Sequence, residues 1–189
     1  MSTDPMSSNP YAPPLARVDD MAQPAVVGTP LFFPVSLTKF IVLSICTLGL
    51  YELYWFYRNW QLIKVREGGR MVPALRAFFA IFFCYACFAR IRDSAAQRQI
   101  GATLAAGPLA AGWIFTTIMA RLPDPYWLVA FVAFVFMVPV QAQVNRLNAV
   151  VAPDHDRNAR FDVWDWLVAV LGGLLVLAML VGLFTPEPV

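Results

Sequence analysis

The sequence predicts an all-α integral membrane protein, a bundle of four to five transmembrane helices, on three observations. Of 189 residues, 59% are hydrophobic and 14% charged, with mean hydropathy +0.61. A water-soluble globule draws on about 25% charged residues, so its surface cannot be built from this composition. Five windows hold about 20 mostly apolar residues each, the length that crosses a ~30 Å hydrocarbon layer at 1.5 Å per residue. Finally, basic residues exceed acidic ones by only two and there are three cysteines. That balance excludes nucleic-acid binding and a disulfide-stapled secreted fold.

Residues 1–34 are rich in Pro, Ser and Asp and hold no apolar run long enough for the centre of a signal peptide; they predict a disordered tail. The membrane domain follows over residues 35–185, with a short tail at 186–189. Its windows are 36–57, 74–91, 103–120, 126–144 and 163–184. All must be helical, because an isolated strand in lipid leaves its backbone unpaired. Thr47, Leu48 and Gly49 interrupt the first window, where glycine permits a bend. That segment therefore either crosses the bilayer or folds back as a re-entrant hairpin. Pro73 opens the second window, and Pro123, Asp124 and Pro125 break the chain between the third and fourth. Aromatic rings gather at the predicted interfaces: Tyr54, Trp55, Tyr57 and Trp60 towards and after the end of the first window, Tyr126 and Trp127 opening the fourth, Trp164 and Trp166 opening the fifth.

Arg58, Lys64, Arg66, Arg70 and Arg76 make the connection after the first window strongly basic and therefore cytoplasmic. Strict alternation would then place Arg90, Arg92, Arg98, Arg146, Arg157 and Arg160 on the other side, leaving eight basic residues outside and six inside. A re-entrant first segment reverses that count by returning Arg17 and Lys39 to the cytoplasm. Within the basic stretch, Arg58, Trp60, Lys64, Arg66 and Arg70 are candidate contacts to anionic lipid headgroups. The charges serve equally as a topology signal alone.

Glu52 is the most conspicuous side chain inside an apolar window; a carboxylate there costs a few kcal/mol unless neutral, paired or wetted. It is either a functional acid or an interface residue paired with a base such as Arg58. Gln141, Asn145 and Asn148 share one face at the end of the fourth window. They either line an aqueous path or headgroup site, or hydrogen-bond neighbouring helices. Cys84 and Cys87 stand at i and i+3 in a Phe-rich run, where apolar surroundings disfavour thiolate and no second pair exists to relay electrons. They read as packing residues before they read as a redox pair. His155 between Asp154 and Asp156 reads as a solvated acidic turn before a metal site. Small-residue ladders, Ala106 to Ala110 and Gly107 to Ala111 in the third window, Ala169 to Gly173 and Ala178 to Gly182 in the fifth, predict that these two helices pack within the bundle or between subunits.

The run 41–60, which contains Thr47, Gly49, Tyr51, Tyr54, Trp55 and Arg58, resembles a bacterial multi-pass inner-membrane family of unknown function. That family carries a Thr-x-Gly-x-Tyr-x-x-Tyr-Trp run ending in a basic residue. The likeness continues through residues 73–79, through Gln141, Asn145 and Asn148, and into the glycine-rich last window. Asn9, Pro10 and Tyr11 resemble the Asn-Pro-Tyr tag near the start of proteobacterial inner-membrane proteins. Glu52 departs from the pattern, which has a small residue there. The resemblance implies an α-helical inner-membrane protein and no reaction.

The sequence thus supports three classes of function. The first is a non-enzymatic inner-membrane protein that scaffolds, senses or assists assembly, because no catalytic, metal or cofactor motif stands out. The second is a small transporter or channel using Glu52 and the Gln141 face. The third is a thiol oxidoreductase using Cys84 and Cys87. The expected partners are the lipid bilayer, anionic headgroups, and a second copy or another membrane protein.

Overall fold

A computed structural model describes residues 28–123 and 126–184. Among them are seven α-helices and a short 3-10 helix, with no strand. The first window breaks where its sequence is interrupted. α1 (Leu37–Cys46) starts at Ser36, whose side chain accepts from the Lys39 backbone N–H, and ends at Thr47. Leu48 and Gly49 then take left-handed φ values of 52° and 86°. The Thr47 hydroxyl joins the two sides of the turn, donating to the Leu43 carbonyl at 2.7 Å and accepting from the Tyr51 N–H at 2.9 Å. α2 (Leu50–Glu67) leaves from this turn and stops at Gly68, also left-handed.

The second window is broken too. α3 (Pro73–Phe78) begins with proline at a position whose N–H would be unpaired anyway, and α4 (Ala80–Gln97) follows after Phe79, whose ψ of 38° leaves the helical region. α5 (Ala106–Met119) packs against α6 (Ala133–Val151), which follows the 3-10 helix Tyr126–Val132 and keeps Pro139 inside it. α7 (Val163–Phe184) coincides with the fifth window. Asp162 and Asp165 cap its start by accepting from each other's backbone N–H at 2.8 and 3.0 Å. Of these helices, one is long and apolar enough to cross a membrane, over Val163–Gly182, and only 6% of it is buried. Of the earlier helices, α1 and α5 are short, at 10 and 14 residues, α2 and α4 carry several charges, and α6 is made more polar by Gln141, Gln143, Asn145, Arg146 and Asn148.

The expected disordered tail includes residues that the fold uses. Residues 1–27, with the Asn-Pro-Tyr tag, lie outside the described residues, but Phe32, Phe33 and Val35 are buried to 4% exposure or less. Pro34 forces Phe33 into extended backbone, so residues 31–35 run as an unhelical strap across the core. The helical unit therefore includes the chain from Leu31 on rather than from 35. The described part of the core is aromatic: Trp55 meets Phe40, Phe56 and Phe88 edge-on, and Phe56 stacks on Phe88 at 5.9 Å and meets Trp113 at 5.0 Å.

Polar contacts show which element ends lie together. Arg66, near the end of α2, donates to the Leu31 carbonyl at 2.8 Å. Arg90 of α4 makes a two-pronged pair with Glu67 at 2.9 and 3.3 Å. Gln143 of α6 donates to the Ile100 carbonyl at 2.7 Å. Lys39 reaches the segment leading into α7: its ammonium meets Asp165 at 2.5 Å, Asn158 at 2.8 Å and the Arg160 carbonyl at 3.0 Å. The strap, the ends of α2, α4 and α6, and the start of α7 thus share one end of the molecule. Strict alternation separates Glu67 from Arg90 by a bilayer, and their ion pair corrects that expectation.

Both helices that carry the small-residue ladders pack within the bundle, α7 on α1 and α5 on α4 and α6. α7 runs parallel to α1, Asp165 beside Lys39 and Gly172 beside Cys46, where a Cβ on Gly172 would stand 2.0 Å from the Cys46 carbonyl oxygen. Beyond Gly173, α7 continues for roughly 16 Å at 1.5 Å per residue, well past the 47–49 turn.

Candidate functional site

Two polar sites emerge from the candidate residues. The first is an amide cradle. Gln141, Asn145 and Asn148 do share a face of α6, and that face is occupied by the strap. Asn148 accepts from the N–H groups of Leu31 and Phe32 at 2.9 and 3.3 Å and donates to the Phe32 carbonyl at 2.8 Å. Gln141 and Asn145 both donate to the Val35 carbonyl at 2.9 Å, and Gln141 also donates to Asn145 at 2.8 Å. The Gln141 oxygen accepts from the Trp55 indole at 2.5 Å. Asn59 of α2 completes the cradle, accepting from the Phe33 N–H at 3.0 Å and donating to the Trp55 carbonyl at 2.9 Å. The amides therefore satisfy a length of buried backbone that has no sheet or helix to pair with. Gln141, Asn148 and Asn59 are 0% exposed, which leaves no room for an aqueous path along this face.

The second site surrounds Glu52. Its side chain is 4% exposed, and one carboxylate oxygen accepts from the Trp113 indole of α5 at 2.5 Å. No basic side chain pairs with it among the described residues. Arg58, the expected partner, lies instead over the Phe33 ring at 5.4 Å. Glu52 lines a groove of about 650 Å³ between both helix breaks, with Leu48, Gly49 and Leu50 on one lip and Phe78, Phe79 and Phe82 on the other. α5 supplies the wall through Trp113, Thr117 and Ile118, and Arg121 follows just beyond the helix. Glu52 stands one turn after Gly49 because the left-handed turn starts α2 there.

The basic stretch divides in two. Trp60 is fully enclosed, with the Arg76 guanidinium 4.5 Å and the Arg90 guanidinium 5.3 Å from its ring centre, so it cannot enter a lipid interface. Arg66 is held by Leu31 and lies 4.7 Å over the Phe32 ring, and burial pushes its guanidinium below the usual arginine range. Arg58, Lys64 and Arg70 remain exposed. Cys84 and Cys87 are both fully buried, side by side on α4. His155 Nδ1 donates to the Ala152 carbonyl at 2.5 Å.

Asn59 and Trp113 were not singled out from the sequence. Each nonetheless left a trace: an amide one turn after Trp55, and an indole in mid-window, where its N–H has no water to meet. Compared with protein-family models, with curated proteins and with solved structures, the chain matches none.

Proposed function

We propose that this chain is a multi-pass inner-membrane protein of non-enzymatic role, a membrane-embedded scaffold or sensor whose helices enter the bilayer largely as hairpins from one side. One observation carries the reading. α7 presents 22 residues of apolar helix with almost no cover from the rest of the chain, and its first turns are fixed by a buried lysine. Exposed apolar surface on that scale needs lipid around it. The apolar coat continues onto Leu50, Phe78, Phe82, Phe115 and Val135, each at least half exposed.

The hairpin arrangement supports a re-entrant first segment, because the strap meets Arg66 at the end of α2. It also gathers the basic residues of 58–70, 90–98, 146 and 157–160 at one end, which by the distribution of positive charge is cytoplasmic. Transport along the Gln141 face is disfavoured, since the strap fills it. A thiol reaction is disfavoured by the burial of both Cys84 and Cys87. The test is alkaline extraction followed by single-cysteine labelling in intact cells. The protein should stay with the membrane, and Ser8→Cys, Arg70→Cys, Gln97→Cys and Asn158→Cys should all be protected, whereas Val189→Cys should react. Labelling of Asn158→Cys with protection of Arg70→Cys would restore strict alternation.

A further inference from the structure

We infer that the groove at Glu52 is a binding site for an aminophospholipid, with the lipid's ammonium at Glu52 and its phosphate at Arg121. This rests on the membrane reading above and gives it a ligand. Glu52 is more than nine-tenths buried, yet among the described residues only Trp113 hydrogen-bonds to it, through one oxygen. A carboxylate offers about four acceptor positions, so the group lacks donors in a place where water is scarce. The groove of about 650 Å³ into which it faces falls within the range of small-molecule sites, about 300–1,000 Å³. Thr117 supplies no donor to the groove, because its hydroxyl is spent on the Trp113 carbonyl at 2.8 Å.

The groups that line the groove select the ligand. Glu52 is buried and Arg121 exposed, while Leu50, Phe78 and Phe82 leave apolar surface open beside them. A lone cation would satisfy Glu52 and repel Arg121; a lone anion would do the reverse. A lipid that carries an ammonium, a phosphate and acyl chains gives a partner to the acid, the guanidinium and the apolar flank alike. Burial of the acid further requires N–H donors on the ammonium, which phosphatidylethanolamine has and phosphatidylcholine lacks, though the two carry the same charges.

The test is native mass spectrometry of the detergent-solubilised full chain after exposure to equal amounts of phosphatidylethanolamine and phosphatidylcholine of matched acyl chains. The wild type should retain the ethanolamine lipid on the order of tenfold more than the choline lipid, the ratio expected from one charged hydrogen bond. Glu52→Gln, which keeps an acceptor for Trp113, should bring that ratio close to one. Arg121→Gln should lower retention of both lipids in proportion, and Lys64→Gln at the far end should change neither. Equal retention of the two lipids by the wild type overturns the site, as does a ratio that survives Glu52→Gln. Either failure leaves the extraction and labelling results standing, and the wild-type ratio is read without any variant having to fold.

Discussion

Asn148 and Phe32, 116 positions apart, are joined through both polar atoms of one amide: Oδ1 accepts from the Phe32 N–H and Nδ2 donates to the Phe32 carbonyl. A side chain on α6 thus pairs with the strap much as a neighbouring strand would. This holds an extended, proline-flanked segment in a helical core without leaving its buried backbone unpaired.

Asn148→Leu should therefore destabilise the protein more than its size change suggests. It strands the Leu31 N–H and both polar groups of Phe32, each buried group costing about 1–3 kcal/mol when unpaired. Thermal unfolding in detergent should show a loss on the order of 3 kcal/mol, and limited proteolysis should open the chain at residues 28–36 first. Wild-type resistance at that segment would show that the strap is held by its Phe side chains alone.

The seam between α1 and α7 has its own test. Gly173 is placed so that an added Cβ would lie 3.8 Å from the Cys46 sulfur, near enough for a second thiol to reach it once the Cys46 side chain turns. Gly173→Cys should therefore form a disulfide with native Cys46 under mild oxidation, detected by mass spectrometry. Gly172→Ala in the same chain should abolish it, because its Cβ collides with the Cys46 carbonyl. No cross-link in Gly173→Cys alone would mean that α7 does not rest on α1 as described, and cross-linking in both backgrounds would mean that Gly172 does not touch Cys46.

These contacts show what the sequence could and could not reveal. Helical character and α7 follow directly from composition and window length, and Gly49 marked its break. The Phe79 break carried no glycine or proline, and tertiary packing alone sets it. The Leu31, Phe32 and Phe33 run was overshadowed by the polar residues before it. Whether Glu52 meets Arg58 or Trp113 depends on how α2 and α5 are placed, which helical periodicity does not encode. The same holds for Glu67 and Arg90, whose pair overturned alternation.

Gly112 should be intolerant of a methyl group. A Cβ there would stand 2.3 Å from the Phe136 ring on α6, and overpacking of this kind costs about 1–3 kcal/mol. Gly112→Ala should lower the unfolding temperature, and Gly112→Ala with Phe136→Leu should recover most of the loss. A double mutant that is additive would place the two residues out of contact.

Cys84 and Cys87 should behave as structure. Both are fully buried, and a thiol reacts as its thiolate, which needs access and a polar or positive setting. In the folded, detergent-solubilised protein neither should react with maleimide until denaturant is added, and replacing both with Ala should leave the protein folded. A mixed disulfide trapped between Cys84 or Cys87 and a partner would revive the redox reading.

Exposure at the basic end separates two jobs that the sequence assigned to one stretch. Arg58, Lys64 and Arg70 are exposed, whereas Arg66 and Trp60 serve the fold by holding Leu31 and filling the space between Arg76 and Arg90. Each exposed basic group contributes up to about 1 kcal/mol near an anionic leaflet, so Lys64→Gln with Arg70→Gln should reduce retention of phosphatidylglycerol by up to about thirtyfold. The wild-type preference should shrink as salt shortens the screening length to ~8 Å and below. Arg66→Gln should instead lower thermal stability, since the Leu31 carbonyl loses its donor, with little change in lipid retention. Should Arg66→Gln remove the preference and the exposed pair not, lipid recognition would belong to the folded strap rather than to the exposed end of α2 and the residues just after it.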